Sequence, residues 1–164
     1  MANCTIFNLP TEIFELIIGL LYLPDLLHLR AVCQSFRELI PPLSLEELLQ
    51  EEVSKFGMSR NLYACGVCMC LRRRQNFADN MVKGRKAKCG TDAGRRFCLE
   101  CGMNPFLGTA RYTKGCYISM MGEQHVVCAF CGKLSLAERE GSVYFDECRP
   151  CRLESRFMAR RGEA

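Results

Sequence analysis

Before Tyr63 the sequence has no closely spaced cysteine pair, and nowhere in its 164 residues is there an apolar run long enough to cross a bilayer. Such a span needs about 18 uninterrupted apolar residues. Residues 13–29 come closest, and Glu15, Pro24, Asp25 and His28 break them. No membrane partner is expected. A secretory leader is not expected either: Met1-Ala2-Asn3-Cys4 carries no basic residue, and Glu12 and Glu15 interrupt the apolar stretch that follows. No Ser/His/Asp or Cys/His arrangement suited to nucleophilic catalysis stands out. None of the Cys-x-x-Cys pairs lies on the βαβ pattern of a thioredoxin-like redox site. These absences point to a non-catalytic chain of the cytoplasm or nucleus.

What the chain has in excess is cysteine, thirteen residues in all. An odd count without an export signal favours thiolate–metal chemistry over disulfides. Eight of them form four pairs, Cys65/Cys68, Cys98/Cys101, Cys128/Cys131 and Cys148/Cys151, each with two intervening residues. That spacing lets one tight turn aim two sulfurs at one ion, and two turns complete a tetrahedron around zinc. Gly102 and Gly132 follow the second cysteine of their pairs, where such a turn often needs positive φ. Two structural zinc ions are expected, because four thiolates leave no open position for water or substrate. Sixteen residues separate Cys131 from Cys148, within the range of a one-zinc ribbon, and twenty-nine separate Cys68 from Cys98. Sequential pairing is preferred, and an interleaved cross-brace is the alternative. Cys4, Cys70, Cys89 and Cys116 are left over, and His125 could substitute as a ligand or be a strand histidine without metal.

Charge divides the same way. Residues 1–58 hold three basic and eight acidic side chains, and residues 59–164 hold nineteen and ten. Each four-thiolate zinc site would carry a charge of about −2, so the basicity of the second half largely disappears once metal is counted. Arg72, Arg73 and Arg74, then Lys83, Arg85, Lys86 and Lys88, then Arg95 and Arg96 could form a patch for phosphate, nucleic acid or an acidic segment, or simply a solvated loop.

Two modules are predicted: a helical one over residues 1–56, a cysteine-rich one over residues 57–155, and a frayed tail over 156–164. In the first, Ile13, Leu16, Ile17, Leu20 and Leu21 mark one helical face. Pro24 and Asp25 open a second helix, and a helical pattern resumes through Val32, Phe36, Leu39 and Ile40 until Pro41-Pro42 stops it. Ser44 and Glu47 are spaced as a capping box for a helix through Leu48, Leu49 and Val53, with Gly57 as its stop. Cys33 sits on an apolar helix as a small hydrophobe, and His28 falls at the surface or boundary. The second module shows short strands at residues 116–120, 124–128 and 143–145, the first two around a Met121-Gly122-Glu123 turn. Its apolar pattern is too sparse to predict a core, so metal must supply the folding free energy.

The run Leu9-Pro10-Thr11-Glu12-Ile13, then Leu23-Pro24-Asp25-Leu26-Leu27, then Leu29-Arg30-Ala31-Val32-Cys33 and Phe36 resembles the F-box family over residues 8–41. Phe36 stands where that family usually has tryptophan. The resemblance implies a small α-helical bundle that docks the Skp adaptor of a cullin–RING ubiquitin ligase, with Leu9, Pro10, Ile13, Leu26, Leu27 and Val32 in or beside the docking face. The whole chain then reads as an F-box bundle followed by a zinc-stabilised, irregular α+β module. It also resembles, more loosely, short fungal F-box proteins with cysteine-rich C-terminal regions. The implied function is substrate recognition for an SCF ligase, with a target protein bound by the zinc module. The alternatives are a zinc-stabilised nucleic-acid or chromatin binder, or an F-box protein acting outside ubiquitin ligases. The cysteine module is not a RING: twenty-six residues between Cys101 and Cys128 are too many for the closely packed middle ligands of that motif.

Overall fold

The computed structural model describes residues 6–104, 108 and 110–161. Cys4 lies outside them. The chain divides into two compact units, Met1–Leu43 and Ser44–Ala164.

The first unit contains α1 (Thr11–Gly19), α2 (Leu23–Val32) and α3 (Gln34–Leu39). Pro24 sits in the first turn of α2, where its missing N–H costs nothing. The core is small: Phe14, Phe36 and Ile40 are buried, with Ile18, Leu26, Leu29 and Cys33 packed against them. The rings of Phe14 and Phe36 stack at 6.3 Å. The α1 face chosen by periodicity is not the buried one. Ile13, Leu16 and Leu20 are exposed, while Phe14 and Ile18 turn inward. One amphipathic stripe cannot contain both sets, so α1 is apolar on two sides.

The second unit begins with α4 (Leu45–Val53) and α5 (Lys55–Ser59). The Ser44–Glu47 capping box closes the start of α4: Ser44 Oγ accepts from the Glu47 N–H at 3.2 Å, and the Glu47 carboxylate accepts from the Ser44 N–H at 2.7 Å. These helices were expected with the first module. They pack instead on β1 (Leu62–Cys65), because Glu52 is fully buried there and accepts from the Ala64 N–H at 2.7 Å. Gly57 does not stop a helix. It lies inside α5, where a Cβ would come within 2.2 Å of the Glu51 carbonyl oxygen, so glycine is needed for close approach.

Beyond β1 come β2 (Cys70–Arg73), α6 (Leu99–Met103), β3 (Tyr117–Met120), β4 (Glu123–Val127), β5 (Leu134–Leu136), β6 (Arg139–Glu140), β7 (Val143–Tyr144) and α7 (Arg149–Arg161). The strands form three small antiparallel sheets, β1-β2, β3-β4-β5 and β6-β7. The β3-β4 turn uses Met121 and Gly122, both at positive φ, as a two-residue hairpin requires. Residues 156–161 of the tail expected to fray continue α7, and residues 162–164 lie outside the described residues.

A core exists where the sequence pattern gave no sign of one. Phe77, Met81, Val82, Phe97, Leu99, Tyr112, Ile118 and Val127 form a buried cluster that also encloses Cys65 and Cys98. Its centre comes from irregular chain and short 3-10 turns, which have no hydrophobic period to read. Asp79 fastens this core to the hairpin. Its carboxylate accepts from the Ser119 hydroxyl at 2.8 Å and from the Met121 and Gly122 N–H groups at 3.0 and 3.1 Å, and it pairs with Arg74. Burial alone would push this carboxyl up. The Ser119, Gly122 and Arg74 donors, with Lys83 nearby, outweigh burial and hold it well below the usual carboxylate range. Asp79→Ala is expected to cost ~2–3 kcal/mol, measured by denaturant unfolding, since it strands a half-buried arginine and two amides.

Candidate metal centres and partner-docking face

The eight paired cysteines come together in two groups: Cys65, Cys68, Cys98 and Cys101, and Cys128, Cys131, Cys148 and Cys151. Within each group the sulfurs all lie within 4.8 Å of one another. This is the sequential arrangement. None of the twelve described cysteines is in a disulfide.

Both groups follow one plan. The first two sulfurs come from a turn next to a strand, and the last two from the start of a helix. In the first centre Cys65 ends β1 and Cys68 follows in a turn closed by the Met69 N–H donating to the Cys65 carbonyl at 3.0 Å. Cys98 caps α6 and Cys101 lies within it. In the second, Cys128 follows β4, and the Gly132 N–H donates to the Cys128 carbonyl at 2.9 Å. Cys148 and Cys151 straddle the start of α7. In each centre the N–H of the third cysteine donates to the sulfur of the first at 3.3 Å: Cys98 to Cys65, and Cys148 to Cys128. Amide donors of this kind stabilise thiolate and orient it.

The turns differ in one respect. Gly132 has φ 72°, as its position requires, but Gly102 is helical. Gly102 is needed for space, since a Cβ there would meet the Tyr112 ring at 2.4 Å. In the first centre the positive φ falls on Met69 instead.

The donor set fits a tetrahedral ion. Four sulfurs at about 2.3 Å from a centre lie about 3.8 Å apart. The sulfurs of Cys131 and Cys148 stand at 3.8 Å. The thiols also divide protons unequally, the condition a bound cation removes by holding every sulfur deprotonated. Hydrogen bonding to Cys65 pulls the Cys68 thiol down and pushes the Cys98 thiol up. Burial opposes ionisation of Cys128, yet the amides of Cys148, Cys131 and Phe130 bring it down to about 6. Cys151 is pushed up to about 12, first by its contact with Cys148 and then by burial.

The other candidates stay outside both groups. His125 is half-buried on β4, with Nδ1 3.4 Å from the Glu123 carbonyl. Cys70 donates to the Cys68 carbonyl at 3.2 Å, Cys116 packs against the core, and Cys89 is exposed. Cys33 is half-buried and His28 exposed.

Part of the basic runs is consumed within the unit. Arg96 is fully buried and ion-paired to Glu52, and its Nε donates to the Ala93 carbonyl at 2.9 Å. Lys88 donates to the Glu52 carbonyl at 2.8 Å. Arg74 pairs with Asp79, Arg72 with Glu100 at 3.2 Å, and Arg85 with Asp92 at 3.0 Å. Neither Glu52 nor Asp79 was marked by sequence reasoning. Both look like ordinary solvated charges until their distant partners are seen.

In the first unit the six residues expected at the docking face fall at different depths. Pro10, Ile13 and Val32 are exposed, and Leu9, Leu26 and Leu27 are half-buried. Leu16, Leu20 and Tyr22 add to the exposed apolar area and were not among the six. These side chains, open to 65–83%, form an exposed apolar surface on a small helical bundle.

This stretch, residues 6–45, matches the F-box-like family. It is an F-box-like domain. No curated protein matches the chain, and no solved structure does. F-box domains typically bind the Skp adaptor within cullin–RING ligases, and proteins that carry them are generally non-catalytic receptors. Among the described residues no helix is long and apolar enough to cross a membrane. The cysteine-rich unit after the F-box-like domain is an irregular α+β module with two quartets able to hold a metal ion.

Proposed function

We propose that the protein is a substrate receptor of an SCF ubiquitin ligase, acting in the cytoplasm or nucleus. The F-box-like domain docks the Skp adaptor, and two structural zinc ions hold the second unit in the shape that binds a target. The observation that carries this reading is the F-box-like match over a unit whose apolar residues exceed its core. An adaptor would cover the surplus, about 800 Å² on this side. Leu9, Pro10, Ile13, Leu26, Leu27 and Val32 would lie in or beside that contact.

In the second unit Cys65, Cys68, Cys98 and Cys101 would hold one zinc, and Cys128, Cys131, Cys148 and Cys151 the other. With all four positions filled by sulfur, the ions supply folding free energy and no catalysis. Ubiquitin transfer would belong to the conjugating enzyme elsewhere in the assembly, and this chain would contribute proximity. The test is a reconstituted ligase. Target ubiquitination that requires this chain supports the reading, and adaptor binding without any dependent ubiquitination counts against it.

The exposed apolar side chains on and just after α1 give a direct mutational test. Leu16→Glu with Leu20→Glu is expected to weaken adaptor binding at least about tenfold in calorimetry, because each buried leucine is worth roughly 1.5–3 kcal/mol. Helix content should be retained, since both residues are exposed.

A further inference from the structure

A cavity of about 670 Å³ opens in the second unit, within the size range of ligand-binding clefts. Its wall is built from both metal centres. Met103 lies two residues after Cys101, Val127 immediately precedes Cys128, and Gly132 immediately follows Cys131. The lining is mainly apolar, from Met103, Val127, Leu134 and the ring of Tyr112. That ring is fixed by Phe97 at 5.4 Å and by close contact with Gly102.

Two lysines complete the lining, and no acidic residue is among the described ones. Lys114 is held by donating to the Phe130 carbonyl at 2.8 Å. Lys133 is exposed, and its backbone is fixed where its carbonyl accepts from the Cys128 N–H at 3.0 Å. The cavity thus presents an apolar lining with ammonium groups on two separate loops. Lys114 spends one N–H on the Phe130 carbonyl, and both lysines remain exposed.

We propose that this cavity is the target-recognition site, and that it takes a protein segment in which an aliphatic side chain is flanked by Asp or Glu. The aliphatic group fills the apolar lining, and flanking carboxylates meet Lys114 and Lys133. Two ammonium groups on different loops match acidic side chains on both flanks better than the single carboxylate of a chain end. A nucleic acid fits less well, because two lysines are too few to follow a phosphate backbone. The proposal rests on the receptor reading and names the class of target.

The test uses the full zinc-loaded chain and the probe acetyl-Gln-Glu-Leu-Glu-Gln-amide, followed by methyl and amide NMR titration. Shifts are expected at Met103, Val127 and Leu134. Replacing both probe glutamates by glutamine should weaken binding about three- to tenfold, and replacing its leucine by alanine at least about tenfold. Lys133→Glu in the protein should reproduce the charge effect with zinc content unchanged. Equal binding of the neutral probe, or shifts away from these residues, would overturn the proposal. So would selective binding of acetyl-Gln-Gln-Leu with a free carboxylate, which would assign the cavity to chain ends. Adaptor binding is measured on the same sample. If it holds while the probe fails, only the cavity assignment is lost. If adaptor binding fails while the probe binds, the receptor reading is lost.

Discussion

Stripping metal from the two cysteine quartets is expected to unfold α4 and α5 together with everything from β1 to α7, and to leave α1–α3 folded on the adaptor. Structural zinc contributes an apparent ~10–16 kcal/mol in small domains. Whole domains are typically stable by only about 5–15 kcal/mol. Losing the ions therefore exceeds what the Phe77–Phe97–Tyr112 core can offset. The quartets are also not peripheral: Cys65, Cys98 and Cys128 are buried, and the first two lie inside that core. Hydrogen exchange on the adaptor complex, with and without chelator, reads the result. Protection should vanish from residues 45–59 along with the cysteine module and persist over residues 11–39. Protection of α4 that survives with α1–α3 would show that this helix belongs with the first unit. Cys98→Ser and Cys148→Ser should each lose one ion per chain by elemental analysis, whereas Cys89→Ser should lose none.

Glu52→Ala should destabilise the second unit by ~3–5 kcal/mol, the usual cost of leaving a buried charge without its partner. Glu52 and Arg96 are both fully buried, forty-four residues apart in sequence. The same carboxylate caps the Ala64 N–H, one residue before Cys65, and the Arg96 carbonyl accepts from the Gly66 N–H at 2.9 Å, one residue after it. The pair therefore ties α4 to the strand and the loop that deliver Cys65 and Cys98. A fall in melting temperature on the order of 10 °C or more is expected, with weaker zinc retention under competition by a chelator. Replacing both residues together, as Glu52→Leu with Arg96→Met, should recover much of the loss because no charge is left buried. If the double variant is no more stable than Glu52→Ala, the ion pair is not the cause.

What could be read from the sequence follows what is local. The F-box-like segment declares itself because its motif is contiguous: Leu9-Pro10-Thr11-Glu12, Leu23-Pro24-Asp25-Leu26-Leu27 and Val32-Cys33 follow one another within residues 8–41. The cysteine pairs are legible for the same reason, since two sulfurs three residues apart on a turn need no tertiary context. The Met121-Gly122 turn is legible because a glycine stands between two short strand-like runs. The illegible parts are long-range. Phe77, Phe97 and Tyr112 make a core from segments with no period, so neither helix nor strand reasoning could find it. Glu52 and Asp79 are carboxylates on polar-looking stretches, and only partners some forty residues away show them to be buried. The inward face of α1 was misread because two apolar faces compete on one helix. Periodicity marks apolar residues and does not say which face meets the core and which meets a partner.

The most direct test of the account is co-expression with the Skp adaptor, followed by size exclusion with zinc quantified in the eluting peak. The account predicts a one-to-one complex carrying about two zinc ions per chain, lost as a complex but not as a zinc protein when Leu9 and Pro10 are both changed to alanine. A chain that elutes apart from the adaptor with its zinc in place, or a complex that holds no zinc, would contradict it.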